Sequence, residues 1–297
     1  ATAIYGARGA NGVIVITTKK GAEGRAKVNF SAAWTGNRIS NKVAMMNAYD
    51  FVKLQTDMYA SKGTTSNPYF KDDKKLEDYR NAQTIDWQDR IYRPALVQNY
   101  TLSVSGGNKS TGTNYNLSLS ALDQDGIIVN SNFSRYQGKI NLSQKITDKL
   151  TANLLVNYSK TATYGTNPTS AQQSSSATGW LMYSVWGYRP VRPLSLASES
   201  DEWLDSLIDT EAASSNDYRF NPAKTVRNEY RKVGVDYLSS NLSLVYNITD
   251  DLRLKVSGAY TSNKRRSEAF NGSQTYTGYE GSPSGKGING HIYWNDK

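Results

Sequence analysis

NLSQKITDKLTANLLVNYS, residues 141–159, decides the fold. From Leu150 it sets Leu150, Ala152, Leu154, Val156 and Tyr158 at every second position, the period of a strand with two unlike faces. ITDKL, at 146–150, reads as a tight turn into that strand. NLSLVYNITDDLRLKVSGAYT, residues 241–261, repeats the strands and the turn, the latter as ITDDL. One hairpin used twice marks an up-and-down antiparallel sheet.

The same alternation runs outward in both directions. It places Val28, Phe30, Ala32 and Trp34 on one face, then Tyr100, Leu102 and Val104, then Tyr115, Leu117, Leu119 and Ala121. Tyr136, Gly138, Ile140 and Leu142 follow, and later Leu242, Leu244, Tyr246 and Ile248, then Leu252, Leu254, Val256, Gly258 and Tyr260. Seven strands are expected, near 27–35, 97–106, 113–122, 133–146, 150–160, 230–248 and 251–262. Their other face is rich in Asn, Ser, Thr, Gln and Lys, as a water-filled lumen requires.

A sandwich also has one wet face, so connection lengths decide between the two architectures. Residues 36–96 and 160–230 are long inserts, and a third long segment begins at Ser262. The joints at 106–112, 146–150 and 248–252 are short. Short turns at one end and long loops at the other is the pattern of an outer-membrane barrel. The aromatics agree. Trp34, Tyr100, Tyr136, Tyr158 and Tyr260 fall toward the loop ends of the apolar face, and Tyr115 and Tyr246 toward the turn ends. That is an expected membrane girdle, ring body in hydrocarbon and polar tip among headgroups. The fold class predicted is all-β, a partial transmembrane antiparallel β-barrel. The alternative is a secreted β-sandwich adhesin that binds carbohydrate through Trp180, Trp186 and their neighbours.

Composition excludes much else. There is no Cys, so no thiolate metal site, Cys nucleophile or disulfide framework exists. A single His, His291, leaves no His-rich metal centre and little basis for a β-rich hydrolase. No metal and no cofactor are expected. The net charge of +9 invites a nucleic-acid reading, but the cations are scattered apart from small clusters such as Lys19-Lys20 and Lys264-Arg265-Arg266. No nucleic acid is expected as a partner. No apolar run of about 18 residues offers a helical membrane span.

ATAIYGARGANGVIVITTKKG, residues 1–21, has glycines spaced G-x-x-G-x-x-G with a strand pattern after them. A dinucleotide loop needs a strand before G-x-G-x-x-G and a helix after it. The stretch instead closely resembles the end of the plug domain in SusC/RagA-type TonB-dependent outer-membrane transporters. Tyr5, Gly6, Arg8, Gly9, Asn11 and Gly12 carry that motif. MNAYDFVKLQ from Met46, DWQDRIYRPALVQNYTLSVSGG at 86–107 and ALDQDGIIVNSNFSRYQGKINL at 121–142 resemble the same family around its first barrel strands.

The resemblance divides the chain into residues 1–24, the C-terminal end of a plug, and 25–297, the N-terminal part of a barrel. It implies TonB-dependent import of oligomeric nutrients, glycan or peptide, across the outer membrane of a Gram-negative bacterium, with no catalytic residues. It also implies a SusD-like surface lipoprotein over the long loops, the TonB complex acting through a segment absent here, and contact with outer-membrane lipid and lipopolysaccharide. Members of this family are several times longer, and large transporter barrels use about 22 strands. The chain is therefore expected to be one piece of such a protein.

In the second insert, GWLMYSVWGYRP at 179–190 is the densest aromatic cluster. Trp180, Tyr183, Trp186, Tyr188 and Arg189 are the ligand-binding candidates, able to stack on sugar rings or clamp a peptide, with a loop mini-core as the competing reading. SESDEWLDSLID at 198–209 reads as an acidic helix of the same loop. Asn47 with Asp50 predicts an N-capped helix to about Ala60. GSPSGKG at 281–287 lacks P-loop spacing, and DQDG at 123–126 lacks the Glu that would close a calcium loop.

Overall fold

The computed structural model describes residues 24–61, 63, 75–165, 181–191, 221–275 and 278. Residues 1–23 with the plug-end motif, Trp180, the acidic stretch 198–209, the loop 281–287 and His291 lie outside the described residues.

The described strands form one sheet of seven, β1 to β7 in sequence order, each antiparallel to the next. They are β1 Gly24–Asn37, β2 Ala95–Asn108, β3 Thr113–Asp125, β4 Asn132–Lys145, β5 Leu150–Tyr164, β6 Glu229–Asn247 and β7 Arg253–Asn271. The repeated hairpins are repeated in geometry. Ile146 N–H donates to Leu150 O at 2.8 Å and Leu150 N–H to the Thr147 hydroxyl at 3.0 Å; Ile248 N–H donates to Leu252 O at 2.9 Å and Leu252 N–H to the Thr249 hydroxyl at 3.1 Å. Each Thr hydroxyl thus accepts from a backbone N–H three residues on in the turn.

β7 differs from its expected extent, running on from 262 to Asn271 in unbroken register with β6. Its extra residues, NKRRSEAF, carry charge on both faces, so no alternation marks them as strand. The β-sandwich alternative is not met. The described strands make a single sheet, and Leu117 and Leu244 remain 38% and 39% exposed with Leu154 half-buried. Among the described residues the apolar core lies elsewhere, in the inserts above the sheet.

That core is built by α1 Ala48–Ser61, a 3₁₀ turn Leu76–Asn81, α2 Trp87–Ile91, α3 Leu181–Gly187 and α4 Pro222–Asn228. α1 starts where expected, with the Asn47 side chain accepting from Asp50 N–H at 2.8 Å. α4 has Asn221 at its N-cap, accepting from the N–H groups of Ala223 and Lys224, and Pro222 in its first turn, where no N–H is missed.

Candidate functional site

The sheet's two faces follow from the register. Tyr100, Ala121 and Tyr136 lie in one hydrogen-bonded row, Trp34 stands two residues above it, Tyr158 two below and Tyr260 four below. Above this ceiling the same face turns polar, with Gln98, Asp123, Ser134, Lys160, Asp236 and Lys264. The floor descends likewise, from Tyr115 in β3 to Tyr246 in β6. The ceiling therefore falls by about one residue per strand; with ~3.3 Å rise and ~4.8 Å spacing this is a slope of about 35°. Strands of membrane barrels tilt by that amount. An apolar band that slopes against the hydrogen-bonded rows is a level band once the strands are tilted.

Each aromatic has a defined setting. Trp34 Nε1 donates to the Tyr100 hydroxyl at 3.1 Å, and the rings meet edge to face at 5.8 Å. Tyr100 donates onward to Gln98 at 2.9 Å and is half-buried. Tyr115, also half-buried, crosses over its partner Gly106. Tyr158 donates to Asp236 at 3.1 Å. Tyr136, Tyr246 and Tyr260 are exposed. The opposite face is lined by Asn, Ser, Thr, Gln and basic side chains, with Gln137 donating to Asn157 across β4 and β5 at 3.1 Å.

The two long inserts lock into a cap at the loop ends. Trp87 packs edge to face on Tyr188 at 4.9 Å and its Nε1 donates to Arg189 O at 2.8 Å. Ile85 N–H donates to Pro190 O at 2.7 Å. Around this pair Ile91, Leu181, Met182, Val185 and Val226 complete a buried cluster. Gln88 exchanges hydrogen bonds with the Val43 backbone in both directions, and Lys42 bridges Asp86 at 3.0 Å and Asp89 at 2.6 Å. Burial of Asp86 works to raise its carboxyl, but hydrogen bonds from Lys42 and Gln88 outweigh it and hold the group below its ordinary value. Hydrogen bonds to Asp89 and Asp86 raise the Lys42 amine.

Between α1 and α3 the cap leaves a groove of about 340 Å³, lined among others by Met45, Met46, Leu54, Met58, Trp186 and Tyr188. Of the ligand candidates, Trp186 is 44% exposed at its edge and Tyr183 is half-buried, whereas Tyr188 and Arg189 are buried at 2% and 5%. The second insert thus supplies a mini-core and a groove edge from one short helix. Met45, Leu54 and Met58 escape notice in the sequence because they belong to the other insert; the adjacent methionines before a capped helix are the available signal.

A bare apolar face, a polar reverse face and loops massed at one end make this sheet a sector of an outer-membrane β-barrel wall. The comparisons agree. No family model matches the chain. It is 30% identical over 191 residues to TonB-dependent receptor P3 of Formosa agariphila, which is 64% of this chain and 17% of that protein. It is 33% identical over 144 residues to TonB-dependent receptor SusC of Bacteroides thetaiotaomicron, 48% of this chain and 13% of that one. Its fold matches the RagAB peptide importer in the open-open state with TM-score 0.66 at 20% identity, covering 92% of this chain and 31% of that chain. The closed-closed state gives 0.65. The chain thus spans less than a fifth of these curated relatives and about a third of the structural neighbour. It is similar in sequence and fold to SusC/RagA-type TonB-dependent receptors, and its place is the outer membrane of a Gram-negative cell. The named relatives are receptors and an importer, not enzymes.

Proposed function

We propose that the chain is part of a TonB-dependent outer-membrane importer of oligomeric nutrients, with residues 1–24 ending the plug and 25–297 beginning the barrel. One observation carries the reading: an apolar face left bare along all seven strands and bounded by sloping rows of Trp and Tyr. In it Trp34, Tyr100, Tyr115, Tyr136, Tyr158, Tyr246 and Tyr260 are the girdle, and the polar face lines the lumen through which cargo passes. TonB pulls on the plug through sequence outside this chain, and a SusD-like lipoprotein closes over the inserts.

Between glycan and peptide, the groove favours peptide. Its thioether and aliphatic lining suits apolar side chains of varied shape, whereas a glycan calls for arrays of polar partners beside each aromatic. The RagAB structures are of a peptide importer.

Uptake of a labelled oligopeptide mixture by cells carrying or lacking the receptor is the test. Import should be lost on deletion and on collapse of the proton gradient, restored by the wild type, and not restored by Leu154→Arg. Unchanged uptake after deletion sinks the proposal.

A further inference from the structure

The basic cluster Lys264-Arg265-Arg266 lies in β7 above the aromatic ceiling at Tyr260, and strand alternation splits it. Lys264 and Arg266 share the face of Tyr260, while Arg265 stands on the opposite face. Lys264 pairs with Asp236, and Asp236 with Lys160, so the two lysines flank one position of a single row. The neighbouring acids are engaged: Asp236 accepts from Tyr158 at 3.1 Å, and Glu268 takes Arg266 Nε at 3.0 Å and the Tyr230 hydroxyl at 3.0 Å. Among the described residues, neither Lys160 nor Lys264 makes an ion pair, and both are exposed.

On the same face, beginning in the row of Lys160 at its partner Tyr136 and running downward, lies a shallow apolar trough of about 420 Å³. Phe30, Leu102, Leu119, Tyr136 and Tyr158 line it, and Gly138 supplies the gap beside its partner Tyr158. A Cβ at Gly138 would already touch Leu119 at 3.5 Å, so a larger side chain there would intrude on the space.

We propose that this is a seat for a phosphorylated lipid of the outer leaflet, an acyl chain in the trough and its phosphate on Lys160, with Lys264 as the second cation along the row. The inference rests on the reading above that this face meets lipid. Lysine suits the place because its aliphatic stem lies along apolar surface while the amine reaches headgroup height. The trough and the cations follow one another in the order a lipid requires, tail and then head, which a soluble anion would not need.

The test is native mass spectrometry of the full protein in mild detergent, titrated with bis-phosphorylated lipid A and with its dephosphorylated form. Wild type should favour the phosphorylated lipid by about fivefold or more, as charge-assisted contacts predict. Lys160→Ser with Lys264→Ser should bring the two lipids to parity, and Arg265→Ser, on the other face, should leave the preference intact. Gly138→Leu should weaken both lipids alike. Equal affinity in wild type, or a preference that survives the double substitution, overturns the site and leaves the lipid-facing wall standing. Binding of neither lipid removes both.

Discussion

Asn130 holds a left-handed backbone, φ 59°, in the loop between β3 and β4, and its side-chain amide donates to the carbonyl oxygens of Val226 and Glu229, both at 3.0 Å. Helix ends leave carbonyls without partners, and here a distant loop supplies the donor for α4. The same loop is tied to the first insert by Val129 N–H to Ile91 O at 2.9 Å and Arg93 N–H to Ile127 O at 2.8 Å. Asn130→Gly keeps the backbone conformation and loses both bonds, so it should cost about 1 kcal/mol of cap stability. Asn130→Ala also strains the backbone and should cost about 1 kcal/mol more. Faster amide exchange at the end of α4, with β4 and β5 unchanged, is the expected readout. Equal exchange in the two variants would assign the whole effect to the lost bonds.

Trp87 joins two inserts that are far apart in the chain. Trp87→Ala deletes the contact with Tyr188 and the bond to Arg189 O, and should cost the cap about 3 kcal/mol. Trp87→Phe keeps a ring and loses the N–H donor, for about 1 kcal/mol. Limited proteolysis should show cleavage in the second insert increasing in that order, while resistance of the barrel to heat in detergent stays as in wild type.

The contrast between wall and cap explains what the sequence could reveal. Strands β1 to β5 and the lower half of β6 announce themselves because hydrocarbon on one side and water on the other impose a period of two across the apolar band. β7 loses that signature after Ser262, where both faces are wet, and its upper half hides among Lys264, Arg265 and Arg266. The cap has no period at all. Trp87 and Tyr188 find each other through tertiary packing of short helices, which leaves both residues looking like loop aromatics in the one-dimensional record. For the same reason the burial of Tyr188 beneath the groove it lines is not legible in the sequence, and Met58 reads as ordinary helix until the groove is seen.

The Lys42 bridge gives the cap a defined pH response. The Asp86 carboxyl is held below its ordinary value, so its contribution is present above the unfolded pKa of about 3.9 and lost as pH falls through the lower folded value. The Lys42 amine is held above its ordinary value, so its contribution is present below about 10.4 and lost as pH rises beyond that. The cap should therefore be insensitive between about pH 5 and 9 and loosen below about pH 4. The fluorescence difference between wild type and Trp87→Phe, followed against pH, reports the cap. In Lys42→Met the acid transition should begin at higher pH. A wild-type transition near neutrality would refute the assignment.

The slope of the apolar band makes a prediction that a flat sheet would not. In a tilted barrel, residues at one depth do not share a hydrogen-bonded row. Phe30 and Ser262 occupy the same row, yet Ser262 lies above the aromatic ceiling of β7, whereas Leu154 and Val256 lie near mid-depth on lower rows. An arginine facing lipid costs about 2–4 kcal/mol at mid-depth and about 0–1 kcal/mol near the interface. Leu154→Arg and Val256→Arg should therefore both lower the yield of assembled, heat-modifiable protein in the outer membrane. Ser262→Arg should be tolerated, and so should Asn153→Arg, which adds its charge to the water-facing side. If Ser262→Arg disrupted assembly as strongly as Val256→Arg, depth would follow the hydrogen-bonded rows and the tilt would be wrong. If Asn153→Arg were as damaging as Leu154→Arg, the two faces would be equally dry, which no barrel wall can be.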